Sequence, residues 1–311
     1  MVKAWFYKEY GSVDVLQFGE IPTPSAGPGQ VLVKVRAAAL NPVDFKIRQY
    51  GVLRSADAPF PVVPGCDLAG VVVEVGDGVS KFKKGDEVYG DIQDFTAGNP
   101  KQVGTLAEFT VAEEHLLALK PTNLSFEEAA SLPLALLTAL QSFDTVGFQK
   151  GQSVFIVGGA GGVGSLAIQL AKHVFEASRI VSTCSTGKVE FVKNLGADLV
   201  VDYTKQSYEQ VDEKFDFVFD TIGESFNSHV VVKEEGKIVD IASFPPHQKA
   251  VNVLVKPQGS NLERLGKYIE SGKLKPVIDP KSPYAFSDVV EAFKHQESER
   301  ARGKIVISHI E

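Results

Sequence analysis

Only two cysteines occur in the 311 residues, Cys66 and Cys184. Two thiols cannot build a disulfide framework, nor supply a four-cysteine zinc site. No run of about 18 apolar residues free of charge is present, so no membrane span is expected. Positive charge is not in excess: 32 Lys and Arg stand against 39 Asp and Glu, a formal −7. That balance argues against nucleic acid or a polybasic membrane attachment as the main partner. The opening MVKAWFYKEYG has neither a signal-peptide core nor a Ser/Arg-rich transit stretch, and reads as structure from its first residues. Internal repeats and low-complexity tracts are missing as well.

What is present is an ordinary globular composition, 44% hydrophobic and 23% charged, in a length that suits two domains. The first third is rich in valine and glycine in short blocks: KAWFYKEY, GQVLVKVRAAAL, LAGVVVEVG, DEVYGDI and LAEFTVAEEHLLAL. These predict strands separated by turns, in a barrel-like β region. From Leu124 the pattern changes. SFEEAASLPLALLTALQSF has helical periodicity behind an acidic first turn, and Pro133 is expected to split it. Strands and short helices then alternate through QSVFIVG, GVGSLAIQLAKHVF, RIVSTC, GKVEFVKNLG, DLVVDY, FDFVFDTIG and GKIVDIA. Such alternation predicts a parallel sheet. The fold class expected is therefore α/β, with residues 1–123 and 267–311 forming a β-rich domain and 124–266 a Rossmann-type domain. In the last part, NLERLGKYIESG and FSDVVEAFKHQESE read as helices and GKIVISHI as a strand that rejoins the first domain.

The strongest local motif is VFIVGGAGGVGSLAIQLAKHV. Gly159, Gly162 and Gly164 fit a G-x-x-G-x-G spacing between a hydrophobic strand and a hydrophobic helix, the context of a dinucleotide fingerprint. Ala160, Gly161, Gly162 and Val163 are expected to offer backbone contacts to a pyrophosphate. A packing turn in an unrelated α/β protein is the bland reading. An NAD-selective chain commonly carries an acidic residue at the end of the next strand. None stands from Val181 to Lys188. Ser185 and Lys188, with Ser182 and Thr186, suit the 2′-phosphate of NADPH instead. Tyr203 ends the following strand and is a candidate for the adenosine side. Gly223, after FDFVFDTIG, and Ser243 and Phe244, after the next strand, are placed at the carboxyl edge of the sheet where ligands bind.

Motifs of this kind run in order through the whole chain. AAALNPVDFKIR, VPGCDLAGVVVEVG, FKKGDEVYG, GTLAEFTVAEE, AASLPLALLTAL, LGADLVVDY, SGKLKPVIDP and ARGKIVIS accompany the glycine loop. Together they resemble the medium-chain dehydrogenase/reductase superfamily in its quinone-oxidoreductase-like branch. LNPVDFK, AKHVF, LGADLVVDYTK and YIESGKLKPVIDPKSPYAFS look most like plant alkenal/one oxidoreductases and fruit enone oxidoreductases. The resemblance implies a GroES-like β-barrel substrate domain, a Rossmann domain and NADPH as cofactor. It implies reduction of the C=C bond of an enone or enal, furanone precursors included. The expected compartment is the cytoplasm or the chloroplast, and the expected state a monomer or homodimer.

The same resemblance locates the chemistry. The zinc branch uses a cysteine, a histidine and an acidic residue. Here Asn41, Cys66 and Asp67 stand at those places, so no metal is expected. Asn41, Lys46 and Tyr50 are the candidates to face the substrate oxygen. Asp44 is expected to orient the motif or bind ribose. Thr138, Gly303 and Lys304 match family positions near the cofactor. The bland readings are an Asn-Pro turn, surface lysines and a packing aromatic. Quinones are the alternative substrate, and a binding protein that retains the scaffold is the non-enzymatic one.

Overall fold

Valine-rich strands with alternating burial form the first part of the computed structural model, which describes every residue except 99, 100, 309 and 311. The chain divides into two units. One comprises residues 1–137, 255–270 and 276–311, the other 138–254 and 271–275.

In the first unit, seven strands share one sheet. Its order is Tyr284–Ala285, Ile305–Ser308, Gln30–Leu40, Asp67–Val75, Glu87–Asp91 and Leu117–Leu119, and Phe109–Glu113 also pairs with Gln30–Leu40. The barrel-like expectation thus becomes a sheet whose path is not closed among the described residues. Val2–Phe6 and Gln17–Ile21 form a separate antiparallel pair. The register of the large sheet brings distant residues together. Ile305 lies opposite Leu40, Ala39 opposite Asp67, and Asp67 opposite Asp91. Residues 41, 67, 91 and 304 therefore meet at one rim of the sheet, although 237 positions separate Asp67 from Lys304. The returning strand Ile305–Ser308, expected from the sequence as a strand, is wholly buried.

A helix absent from the sequence reading, Pro42–Tyr50, follows directly from Gln30–Leu40. Proline at its first position is preorganised for a helix and has no N–H to leave unpaired. Asp44, three residues after the N-cap Asn41, reaches back to accept its backbone N–H at 2.7 Å. That is the reciprocal half of a capping box. Gly51 ends the helix in the left-handed conformation, φ 66°.

The second unit holds six parallel strands in the order Leu199–Asp202, Arg179–Cys184, Ser153–Val157, Phe215–Asp220, Val232–Asp240 and Ala250–Asn252. Numbered within the unit this is 3-2-1-4-5-6, the Rossmann order. Its central strands are buried apolar runs because helices cover a parallel sheet on both faces. Phe155, Val157, Val181, Val218 and Ile238 are all fully or nearly fully buried. Phe143 adds an aromatic layer, stacked on Phe175 and edge-on to Phe148 and Phe217. Helices Phe126–Ala130 and Pro133–Val146 flank the break that the sequence predicted at Pro133. Among the described residues no helix is long and apolar enough to cross a membrane.

Candidate functional site

The glycine loop of the second unit sits at the reversal of strand order, after Ser153–Val157. Gly158 adopts φ 83°. Its N–H donates to Thr183 Oγ1 at 3.0 Å, and the Gly159 N–H donates to the Thr183 carbonyl at 3.0 Å. A Cβ on Gly159 would lie 2.0 Å from Ser182 Oγ, and one on Gly164 would lie 2.2 Å from the Gly158 carbonyl oxygen. Both side chains are thus excluded by close approach of neighbouring groups. Helix Gly162–His173 begins at Gly161, which caps it with no side chain. The first amides of a helix have no partners within it and carry the positive end of its dipole. A close-packed glycine turn ahead of a helix start is the kind of cradle that fits a pyrophosphate.

Ser182 turns out to serve this cradle from behind. Its hydroxyl is buried and donates to the Ile156 carbonyl at 2.7 Å. Ser185 is half-buried at the strand end, and Lys188 closes the short turn behind it, its N–H donating to the Ser185 carbonyl. Thr186 donates to Asp202 Oδ2 at 2.6 Å and lies 3.0 Å from Thr204 Oγ1. Asp202 ends the neighbouring strand, opposite Cys184. Hydrogen bonds from Thr186 and Thr204 hold its carboxyl well below the usual carboxylate range, and Lys205 lies at 3.3 Å. Its oxygens are committed to these neighbours.

Two further strands end in the same device. Asp220 Oδ1 accepts the N–H groups of Ile222 and Gly223, and Asp240 Oδ1 those of Ala242 and Ser243. Each buried aspartate therefore folds back the loop that follows its strand. Gly223 has φ 90°. Phe244 and Tyr203 are exposed, while Thr138 is buried and its carbonyl accepts from Ser142 Oγ.

In the first unit the rim residues form a closed network. Lys304 Nζ donates to Asn41 Oδ1 and, at 3.0 Å, to Asp67 Oδ2. Asn41 Nδ2 donates to the same Asp67 oxygen at 2.9 Å. Asp67 Oδ1 accepts the Leu134 N–H at 2.8 Å. Cys66 Sγ donates to Asp44 Oδ1 at 3.1 Å. All five polar side chains are buried. Burial pushes the Asp44 carboxyl up to about 6, opposed by the hydrogen bonds from Asn41 and Cys66 and by the Lys304 charge. Burial, with the nearby Asp67, pushes Asp91 well above the ordinary carboxylate value. Burial and the surrounding carboxylates lift the Cys66 thiol. Of the sequence candidates, the network gathers Asn41, Asp44 and Lys304. Gly303 supplies the turn into it, at φ 83°. Lys46 is half-buried on the Asn41 helix, and Tyr50 ends that helix exposed.

The donor set does not fit zinc. At the three places of the zinc pattern stand an amide, a thiol that donates a proton to Asp44, and a carboxylate already paired with an ammonium. Zinc requires deprotonated, uncommitted ligands. Among the described residues no group of three or more His, Cys, Asp or Glu could hold a metal ion.

A Rossmann-ordered sheet with a glycine cradle, joined to a seven-stranded β unit, defines a dehydrogenase-type architecture. Residues 27–122 match the family described as alcohol dehydrogenase GroES-like domain, and residues 195–307 the family described as zinc-binding dehydrogenase. The chain is 53% identical to a 2-methylene-furan-3-one reductase of Solanum lycopersicum, over 99% of this chain and 79% of that protein. It is 50% identical to a chloroplastic NADPH-dependent alkenal/one oxidoreductase of Arabidopsis thaliana, over 98% and 79%. Among solved structures, a quinone oxidoreductase from Coxiella burnetii superposes with a TM-score of 0.87 at 32% identity, covering 99% of both chains. The chain belongs to the medium-chain dehydrogenase/reductase superfamily.

Proposed function

We propose that this protein is an NADPH-dependent reductase of the activated C=C bond in α,β-unsaturated carbonyl compounds. The observation that carries the reading is the gradient of similarity. Identity is 53% and 50% toward enzymes named for enone and alkenal reduction, against 32% toward a quinone oxidoreductase. The amides from Ala160 to Val163 are assigned to the pyrophosphate, and Ser185 and Lys188 to the 2′-phosphate; the Thr186 hydroxyl is committed to Asp202. Gly223 and Ser243 are assigned to the nicotinamide half. When bound, NADPH supplies a hydride.

The chain's own residues must then bind the substrate oxygen and accommodate its charge. Hydride addition at the β-carbon spreads that charge over an enolate, whereas addition at an isolated carbonyl concentrates it on one oxygen. A site built from hydrogen-bond donors serves the first better. Asn41 is committed to Lys304 and Asp67. We therefore assign the contact with the carbonyl oxygen to Lys46 or Tyr50, with Asn41 holding their helix. Solvent supplies the α-proton. We place the protein in the chloroplast or cytoplasm, as a monomer or homodimer; organelle fractionation and sedimentation test those two points.

The decisive experiment uses NADPH deuterated at the transferred position and a small enone. Deuterium on the β-carbon of a saturated ketone is expected. Deuterium on the carbinol carbon of an allylic alcohol refutes the reading. Faster turnover of a simple benzoquinone than of any enone would favour the quinone alternative.

A further inference from the structure

Lys304 presents a lysine ammonium inside a protein rim, with only 4% of the residue exposed. It touches two of the three places that the zinc branch devotes to its metal pattern, Asn41 and Asp67. We propose that Lys304 is a positioning residue of the reductase: its ammonium stands in for a metal cation, neutralising Asp67 and locking the Asn41 amide, and through it the helix Pro42–Tyr50. This role rests on the reductase reading and places Lys304 in the rim network rather than at the cofactor.

The hydrogen bonds form a triangle. Lys304 donates to the Asn41 oxygen, the Asn41 nitrogen donates to Asp67, and Lys304 donates to that same Asp67 oxygen. A flipped Asn41 amide would set its NH₂ against the ammonium and its oxygen against the carboxylate, so only one orientation is compatible with both neighbours. The ammonium is itself held on fixed backbone. The Lys304 N–H donates to the Val277 carbonyl at 2.8 Å, and the Lys304 carbonyl accepts the Asp279 N–H at 2.9 Å. Asn41 is the N-cap of the helix that carries Lys46 and Tyr50. Fixing Asn41 by backbone and side chain therefore fixes where that helix starts. The lysine charge also draws Asp44 and Asp91 downward against the effect of burial. Among the described residues, the one carboxylate in contact with the ammonium is Asp67.

The test compares the unaltered full chain with Lys304→Met, with Lys304→Ala, and with the double variant Lys304→Met/Asp67→Asn. The single Met variant strands a buried carboxylate and is expected to lose stability. The double variant removes charge at both corners, which keeps the question answerable if the single variant fails to fold. In the double variant we expect a melting temperature near that of the unaltered protein and an unchanged Kd for NADPH by fluorescence. Its kcat for the enone should fall about 100-fold, the scale of a misplaced reacting group. In Lys304→Ala, methylammonium is expected to restore part of kcat, and sodium chloride at the same ionic strength none. A double variant with unaltered kcat overturns the inference, because the pair is then only structural. Weakened NADPH binding with kcat intact also overturns it, in favour of a cofactor contact. If the unaltered chain itself reduces no enone, the reductase reading fails, and this inference with it; that result shows in the parent protein before any variant is made.

Discussion

Two glycines inside helices are predicted to respond to alanine in opposite directions. Gly164 lies in the first turn of Gly162–His173, and Gly266 lies in Gly259–Glu270. Propensity alone favours alanine by about 0.8–1.0 kcal/mol in a helix interior. At Gly266 a Cβ meets nothing within 4 Å, so Gly266→Ala should stabilise by roughly 0.4–1 kcal/mol. At Gly164 the Cβ would stand 2.2 Å from the Gly158 carbonyl oxygen and 2.9 Å from Gly159 Cα. Both obstacles are backbone, and the loop that holds them is tied to Thr183. Reaching even 3.0 Å from that oxygen, starting at 2.2 Å, requires the helix start and the loop to part by about 0.8 Å. Overpacking of this kind typically costs about 1–3 kcal/mol, more than the propensity gain. The same displacement moves the amides proposed for the pyrophosphate. Each hydrogen bond to a charged group contributes about 1.5–3 kcal/mol, so losing one weakens NADPH at least tenfold. Urea denaturation and fluorescence titration with NADPH read the two effects separately. If Gly164→Ala is stabilised like Gly266→Ala and binds NADPH normally, the steric argument and the loop assignment are both refuted.

Lys188→Ala should weaken NADPH by about 10- to 100-fold while leaving NADH nearly unchanged, since one charge-assisted phosphate contact is lost; equal loss for both cofactors in kcat/KM would remove Lys188 from the phosphate site. For Asp44, the folded carboxyl titrates near 6 against an ordinary 3.8. The folded state therefore holds the extra proton, so this contribution is full below about pH 4 and is lost as pH rises through 6, by about 3 kcal/mol in all. Asp44→Asn should flatten that part of the stability curve, and urea midpoints that fall with pH as steeply as before would exclude Asp44 as the source. Arg48 is fully buried, 2.5 Å from Glu297 and 5.0 Å from the Phe293 ring centre. Glu297→Ala leaves that guanidinium without its carboxylate and should cost about 3–5 kcal/mol with no change in NADPH titration; a variant as stable as the parent contradicts it.

The Rossmann half was legible in the sequence because a strand covered on both faces is written as a continuous apolar run, as in SVFIV and FDFVFD, with glycines marking the turn at 158–164. Register is written nowhere locally. Ser182 read as a phosphate donor because it lies in a strand-end segment, but the pairing of Ile156 with Ser182 turns its hydroxyl behind Gly159. Thr183, which ties down both Gly158 and Gly159, carried no signal beyond its neighbours. Asp202 reaches Thr186 only through the pairing of parallel strands. The helix Pro42–Tyr50 did leave a signal: Asn-Pro followed by an acid at the third helical position. Nine residues give too little periodicity to stand out beside an eleven-residue strand.

The network around Asp67 is the strongest case of information held only in topology. Its members come from positions 41, 44, 66, 67 and 304, and no spacing between them is short enough to form a motif with Lys304. A buried carboxylate without a partner is costly, and a buried ion pair repays that cost only when its geometry is good and its remaining polar atoms are satisfied. Asp67 meets both conditions, with the Leu134 amide on one oxygen and Asn41 and Lys304 on the other. The ammonium arrives on the residue immediately before Ile305–Ser308, and that strand pairs with Gln30–Leu40. That pairing brings Asp67 its counter-charge and Asn41 the partner that fixes its amide. The same short strand that pairs with Gln30–Leu40 thus brings the ammonium that holds the N-cap of the helix assigned to the substrate.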